Sequence, residues 1–218
     1  MTHVEQIEPL YVFAVYMLGS REAAFTAVAA VIAGPPSTWL PSLATALIAS
    51  EKASRANRFA ELDDILRTNS TIPVDLEHPL VRGDMQRLQV LLSELRRTCL
   101  ITTLRGLAAE RRAVFILVHV LGLSIETCAT VCDTTPSAVR ITEGRARRDL
   151  DNYLGARCEH LDARNPCHCP ARLGNALARG LVSWPDPGEH DGAALRKKAS
   201  PGVRELYASL PRVRLPIA

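Results

Sequence analysis

Apolar residues recur at helical spacing along most of the chain. Residues 4–33 read as helices, with Tyr11, Val15 and Leu18 on one stripe. Gly19 breaks the pattern and Ser20 caps a second helix, Arg21–Ala33. Ala23 stands where a full capping box carries Glu, so the box is half made. That second helix runs Ala27-Val28-Ala29-Ala30-Val31-Ile32-Ala33 with almost no polar surface. A helix apolar on most sides is buried or covered by a partner; we read it as an inner core helix, a protein-binding face being the alternative. Gly34-Pro35-Pro36 ends it. Ser37 or Thr38 opens a third helix through Trp39, Leu43, Leu47 and Ile48 toward Phe59, with Pro41 tolerated in the first turn.

Residues 63–83 break the periodicity with Asp63-Asp64, Asn69-Ser70-Thr71, Pro73, Pro79 and Gly83, and read as a linker in which the paired acids are solvated or capping. A long helix follows, carrying Met85, Leu88, Leu91, Leu92, Leu95 and Cys99 on one stripe to about Leu107. Glu110–Leu121 forms the next, with Val114, Leu117 and Val118 inward and His119 as a satisfied core histidine. Cys99 is read as core. Beyond residue 158 the pattern gives short helices at Ala171–Gly180 and within Gly192–Leu210, the latter interrupted by Pro201-Gly202 and docked by Leu206, Tyr207 and Leu210. The expected fold is all-α: two helical domains, 1–62 and 84–157, joined by a linker at 63–83, with a C-terminal extension at 158–218.

The segment from Gly122 to Arg148 adds chemistry to this pattern. Ser124 is a good N-cap after the break at Gly122. Ile125, Cys128, Ala129 and Cys132 then share one face, and small Ala129 lets a second helix cross closely. Cys128 and Cys132, four apart on that face, are core. Asp133-Thr134 turns the chain, Thr135 caps the second helix, and Pro136 takes its first position, where no N–H is needed. This is the plan of a helix-turn-helix. Thr135, Ser137, Arg140 and Thr142 fall in the first half of the second helix, where a recognition helix meets base edges. Arg145, Arg147 and Arg148 follow and suit phosphates.

The stretch Leu104–Leu154 resembles region 4 of extracytoplasmic-function sigma factors, a group of the sigma-70 family. The resemblance is carried by Leu107, Arg111-Arg112-Ala113-Val114-Phe115, His119-Val120, Gly122-Leu123-Ser124, Ala129, Val139-Arg140 and Arg145-Ala146-Arg147. It implies a domain that reads the −35 promoter element and packs on the β flap of RNA polymerase. Ala108, Thr142 and Glu143 depart from the family's proline, basic residue and apolar residue. The front of the chain resembles a reduced region 2: Tyr11–Leu18, Gly19-Ser20-Arg21-Glu22-Ala23-Ala24 and Thr38-Trp39-Leu40 match its first helix, its turn and the opening of its promoter-melting helix. The polar residues with which that family docks on the β′ clamp are replaced by the bare Ala27–Ala33 run.

Charge separates the two halves. The whole chain is +3, but residues 1–80 hold five Lys or Arg against nine Asp or Glu, a net −4. A domain that grips phosphates is seldom net acidic. Lys52, Arg55 and Arg58 form a basic row, read equally well as a backbone track or a solvated face. Trp39 is read as core rather than as a melting wedge. Two readings follow: a sigma factor that directs core polymerase to promoters, with an anti-sigma factor as a further partner, or a sigma-derived regulator that binds a protein partner or DNA without melting it.

The extension opens with Cys158-Glu159-His160 and continues to Cys167-His168-Cys169. Three thiols and two imidazoles within twelve residues suit Zn²⁺ or Cu(I), with Cys158, Cys167, Cys169, His160 and His168 as candidate ligands and His190 as a further imidazole. The alternative is a reduced cysteine cluster that packs the tail. The Cys-x8-Cys-x-Cys spacing resembles the ending of some sigma factors with C-terminal extensions, related members of which sense metals. The chain carries no P-loop, no G-x-S-x-G and no H-E-x-x-H, so an enzyme is not expected and no cofactor is required. No run of about 18 apolar residues suggests membrane insertion, and an acidic start argues against a signal peptide, so a cytoplasmic protein is expected.

Overall fold

The computed structural model describes residues 3–52, 59–60, 62–63, 71–72, 74, 77–79, 81–184, 202–210 and 213–215. Among these every regular element is helical: α1 (His3–Leu18), α2 (Arg21–Val31), a 3₁₀ turn (Pro36–Thr38), α3 (Trp39–Lys52), α4 (Met85–Leu104), α5 (Ala109–Phe115), a π turn (Ile116–Val120), α6 (Ile125–Val131), α7 (Pro136–Gly155), α8 (Cys169–Ala178) and α9 (Val203–Ala208). No helix among them is long and apolar enough to cross a membrane. The all-α reading holds. The breaks fall where local chemistry puts them. Gly19 and Gly122 take the left-handed region, at φ 71° each, and Ser20 Oγ accepts the Ala23 amide at 3.2 Å. The third helix starts at Trp39 instead of Ser37 or Thr38, because Pro36–Thr38 wind as 3₁₀. The helix expected over Glu110–Leu121 changes pitch at Ile116, where Leu121 N–H reaches back five residues to the Ile116 carbonyl.

Two compact units form, and they cut across the segments read from the sequence. The first joins Met1–Arg58 to Ile101–Leu150, with Val213–Leu215. Its centre is α1, which packs against α2, α3, α5 and the π turn. Tyr11, Phe13, Ala14, Val15, Tyr16 and Met17 are all buried. The Ala27–Ala33 run is therefore not the inner core helix expected. In α2 only Ala24 and Val28 are buried, Ala29 and Ala30 are exposed, and Phe25 is 58% exposed. The physical reason is payload: each buried aromatic removes roughly 150–250 Å² from water, and a string of alanines cannot compete for the centre. Trp39 is buried as expected, its Nε1 donating to the Gly34 carbonyl at 2.7 Å.

Arg112 ties this unit together. Its side chain is 3% exposed. Nη1 donates to the Met17 carbonyl at 2.5 Å and to Glu51 Oε2 at 2.8 Å; Nη2 donates to the carbonyls of Arg105 and Leu107. One guanidinium thus closes the ends of α1 and α3 and the turn before α5. Lys52 and Glu110 add a more exposed pair at 2.6 Å.

The second unit comprises Phe59–Leu100, Asp151–Arg212 and Pro216–Ala218. Its core joins Val81, Leu91, Leu95, Leu173, Ala176 and Val182, with Val74 and Cys169 packed against it. The 63–83 stretch therefore supplies core as well as connection. Gly174 N–H donates to the Ile72 carbonyl, and a Cβ at Gly174 would lie 2.4 Å from that oxygen, so only glycine fits there. Asp63, read as solvated or capping, is instead a tether: it accepts from Tyr153 Oη at 3.2 Å and from Arg157 through both carboxylate oxygens, while Phe59 stacks on Tyr153 at 4.4 Å. Its neighbour Asp64, with Arg55, Arg58 and His190, lies outside the described residues. Leu206, Tyr207 and Leu210 are buried as expected, and Tyr207 Oη donates to the Leu100 carbonyl at 2.8 Å. Within Gly192–Leu210 the helix described is the short α9, and α8 begins two residues before the expected Ala171.

Replacing Arg112 by Ala leaves Glu51 half of a buried pair and four acceptors without their donor. We expect a loss of about 3–5 kcal/mol in denaturant unfolding. A loss under 1 kcal/mol would show that the guanidinium does not organise the unit.

Candidate nucleic-acid interface

α6 is capped at both ends. Ser124 Oγ accepts the Thr127 amide at 3.0 Å. At the far end Asp133 takes a left-handed φ of 48°, Asp133 N–H reaches the Thr130 carbonyl, and Thr134 N–H reaches that of Ala129 at 2.9 Å. These two bonds make a Schellman ending with aspartate where glycine is usual. Thr135 Oγ1 then accepts the Ala138 amide at 3.2 Å, with Pro136 as the first helical residue. Cys128, Ala129 and Val139 are buried and hold the two helices together; Cys132 is half-buried. The adjacent Cys132 sulfur and burial push the Cys128 thiol up, as befits an inert core residue.

The outer face of α7 is a polar stripe. Ser137, Arg140, Ile141, Arg145 and Arg148 are exposed, and Thr135 is exposed just before the helix. Thr142 and Arg147 are half-buried and sit beside the stripe instead of on it. Ile141, 54% exposed, stands next to Arg140 and was missed in the sequence because an apolar residue within a helix reads as core. Arg140 pairs with Glu126 of α6 at 3.2 Å, both side chains mostly exposed. Arg111 anchors the inner side of α7 through Asp149 at 2.6 Å.

Glu143, out of place against the apolar residue of the resemblance, has a partner here. His119 Nε2 lies 2.8 Å from its Oε1, and Arg147 approaches the same oxygen at 3.9 Å. His119 belongs to the π turn and leans on Phe115, with ring centroids 4.8 Å apart. The histidine is satisfied, as expected, though half-buried. Its partner comes from a helix 24 residues away, which spacing could not show.

In the tail, the structure brings some candidate ligands together and parts others. Glu159, His160 and Cys169 have donor atoms within 4.8 Å of one another. His168 turns outward to Glu159 Oε2 at 2.9 Å. Cys158 and Cys167 face each other in a parallel bridge. Burial pushes all three tail thiols up. Burial lowers His160, aided by the Arg96 charge. Burial would raise Glu159, but bonds from the Cys169 amide and His168 outweigh it and hold the carboxyl down. Glu159 was not singled out in the sequence.

The capped turn with its outward polar stripe defines a helix-turn-helix of the nucleic-acid-binding kind. Residues 97–150, about a quarter of the chain, match the family described as Sigma-70, region 4. The chain therefore carries a sigma-70 region 4 domain. Neither the curated proteins nor the solved structures contain a match.

If Glu143 offsets His119, the pair is coupled. A double-mutant cycle of His119→Ala and Glu143→Ala should give an interaction energy of about 0.5–3 kcal/mol in unfolding experiments. Strict additivity would mean that each residue acts alone.

Proposed function

We propose that the chain directs core RNA polymerase to a small set of promoters, with α7 reading the −35 element. The observation that carries this reading is the exposed stripe on α7, N-capped by Thr135, inside the stretch that matches sigma-70 region 4. In this reading Ser137 and Arg140 meet base edges, and Ile141 meets a thymine methyl group, the apolar feature of the major groove. Arg145 and Arg148, further along the stripe, suit phosphates, with Thr135 near the backbone at the helix start. Thr142 and Arg147 take supporting places at the edge. The extracytoplasmic-function group, the β flap and β′ clamp as docking points, an anti-sigma partner and a cytoplasmic setting belong to the same proposal. The chemistry is recognition, with no catalytic step assigned to this chain.

A second reading has its own support. The front half is net acidic, and α2 presents Phe25, Ala29 and Ala30 to solvent. A regulator that binds a protein through that face, without melting DNA, would carry both features.

Capture on immobilised core polymerase separates the two. Stoichiometric binding with specific run-off transcription supports initiation; intact DNA binding without capture supports the regulator. On a selected promoter, Arg140→Ala should cost about 1–3 kcal/mol at the cognate sequence and little on random DNA. Arg148→Ala should weaken both alike and reduce the salt slope by about one. Equal losses on both DNAs for Arg140→Ala would remove it from base reading.

A further inference from the structure

The tail loop is shaped before any ligand arrives. Cys167 N–H donates to the Arg157 carbonyl at 3.0 Å, and Glu159 N–H donates to the Cys167 carbonyl at 3.2 Å. Asn165 Nδ2 clamps the carbonyls of Gly155 and Cys158 at 2.8 and 3.0 Å. This closed ring sets the residues after each bridge position side by side. His160 Nε2 and Cys169 Sγ come to 3.3 Å. Two donors of one tetrahedral zinc ion, at roughly 2.0 Å for nitrogen and 2.3 Å for sulfur, stand about 3.5 Å apart. The Glu159 carboxylate completes the cluster while its Oε1 takes the Cys169 amide at 2.5 Å. Cys99 on α4 is a neighbour of Cys169. Cys169 packs against the cluster that contains Leu95, and Cys99 follows Leu95 by one helical turn on the same face.

We propose that His160, Cys169 and Glu159, with Cys99 approaching from α4, form a tetrahedral site for a divalent cation of the Zn²⁺ class. The bridge pair Cys158 and Cys167 shapes the loop; Cys167 has Arg172 as its hydrogen-bond partner. The site joins the tail to a helix whose end lies in the sigma-70 region 4 match, since Cys99 falls within residues 97–150. It does not depend on the promoter reading, because the ligands lie outside the recognition helix. Binding would stabilise the second unit by linkage, as any ligand selective for the folded state does.

The test uses the full-length chain titrated with Co²⁺ and competed with Zn²⁺. We expect one equivalent bound, with the intense visible bands of tetrahedral cobalt and a thiolate charge-transfer band. Cys169→Ser and His160→Ala should abolish the spectrum, Cys99→Ser should weaken binding at least about ten-fold, one RT-scaled decade, and Cys132→Ser should leave it unchanged. The wild-type chain supplies a readout independent of any variant's folding: Zn²⁺ should protect Cys99 and Cys169 from alkylation while Cys132 reacts as before. Pale octahedral cobalt, or equal labelling with and without Zn²⁺, would overturn the site. Binding untouched by Cys99→Ser in a folded variant would overturn the ligand set.

Discussion

A buried guanidinium at Arg112 is the constraint around which the first unit is arranged. A charge at 3% exposure is costly unless its donors find acceptors, and here the two Nη groups meet three backbone carbonyls and Glu51. Those acceptors come from the end of α1, from α3 and from the turn preceding α5. Moving any one of them strands part of the charge. The N-terminal helices and the helices of the sigma-70 region 4 match therefore form one compact unit, with the aromatic α1 at its centre.

On that base α7 is held from its inner side and left open on its outer side. Arg111 with Asp149, and His119 with Glu143, fasten the inner flank of α7. Ser124, Asp133 and Thr135 satisfy the exposed ends of the turn. The outer stripe then carries little structural duty and is available for contacts. Its one exposed aliphatic is Ile141.

The second unit solves a different problem, a short and polar tail. The backbone pairing at Cys158 and Cys167, the Asn165 clamp and the Asp63 tether to Tyr153 and Arg157 supplement a small apolar core with directed bonds. Gly174 permits close approach of the Ile72 carbonyl, and Tyr207 pins α9 to the Leu100 carbonyl. The same folding of the loop gathers thiol, imidazole and carboxylate at one place.

The sequence by itself determined the helical class, the breaks at Gly19 and Gly122, the capped turn from Ser124 to Pro136, and the polar half of α7. These depend on residues within one or two turns of one another, where spacing and capping chemistry act directly. Tertiary structure decided which helix is central, since burial is a competition between α1 and α2 that neither periodicity reveals alone. It decided the partners of Arg112, Glu143 and Asp63, which come from distant parts of the chain. It also drew Glu159 into the tail cluster, while turning His168 outward. Contacts of that kind depend on how elements pack, and packing is a property of the whole unit, absent from any local stretch of residues.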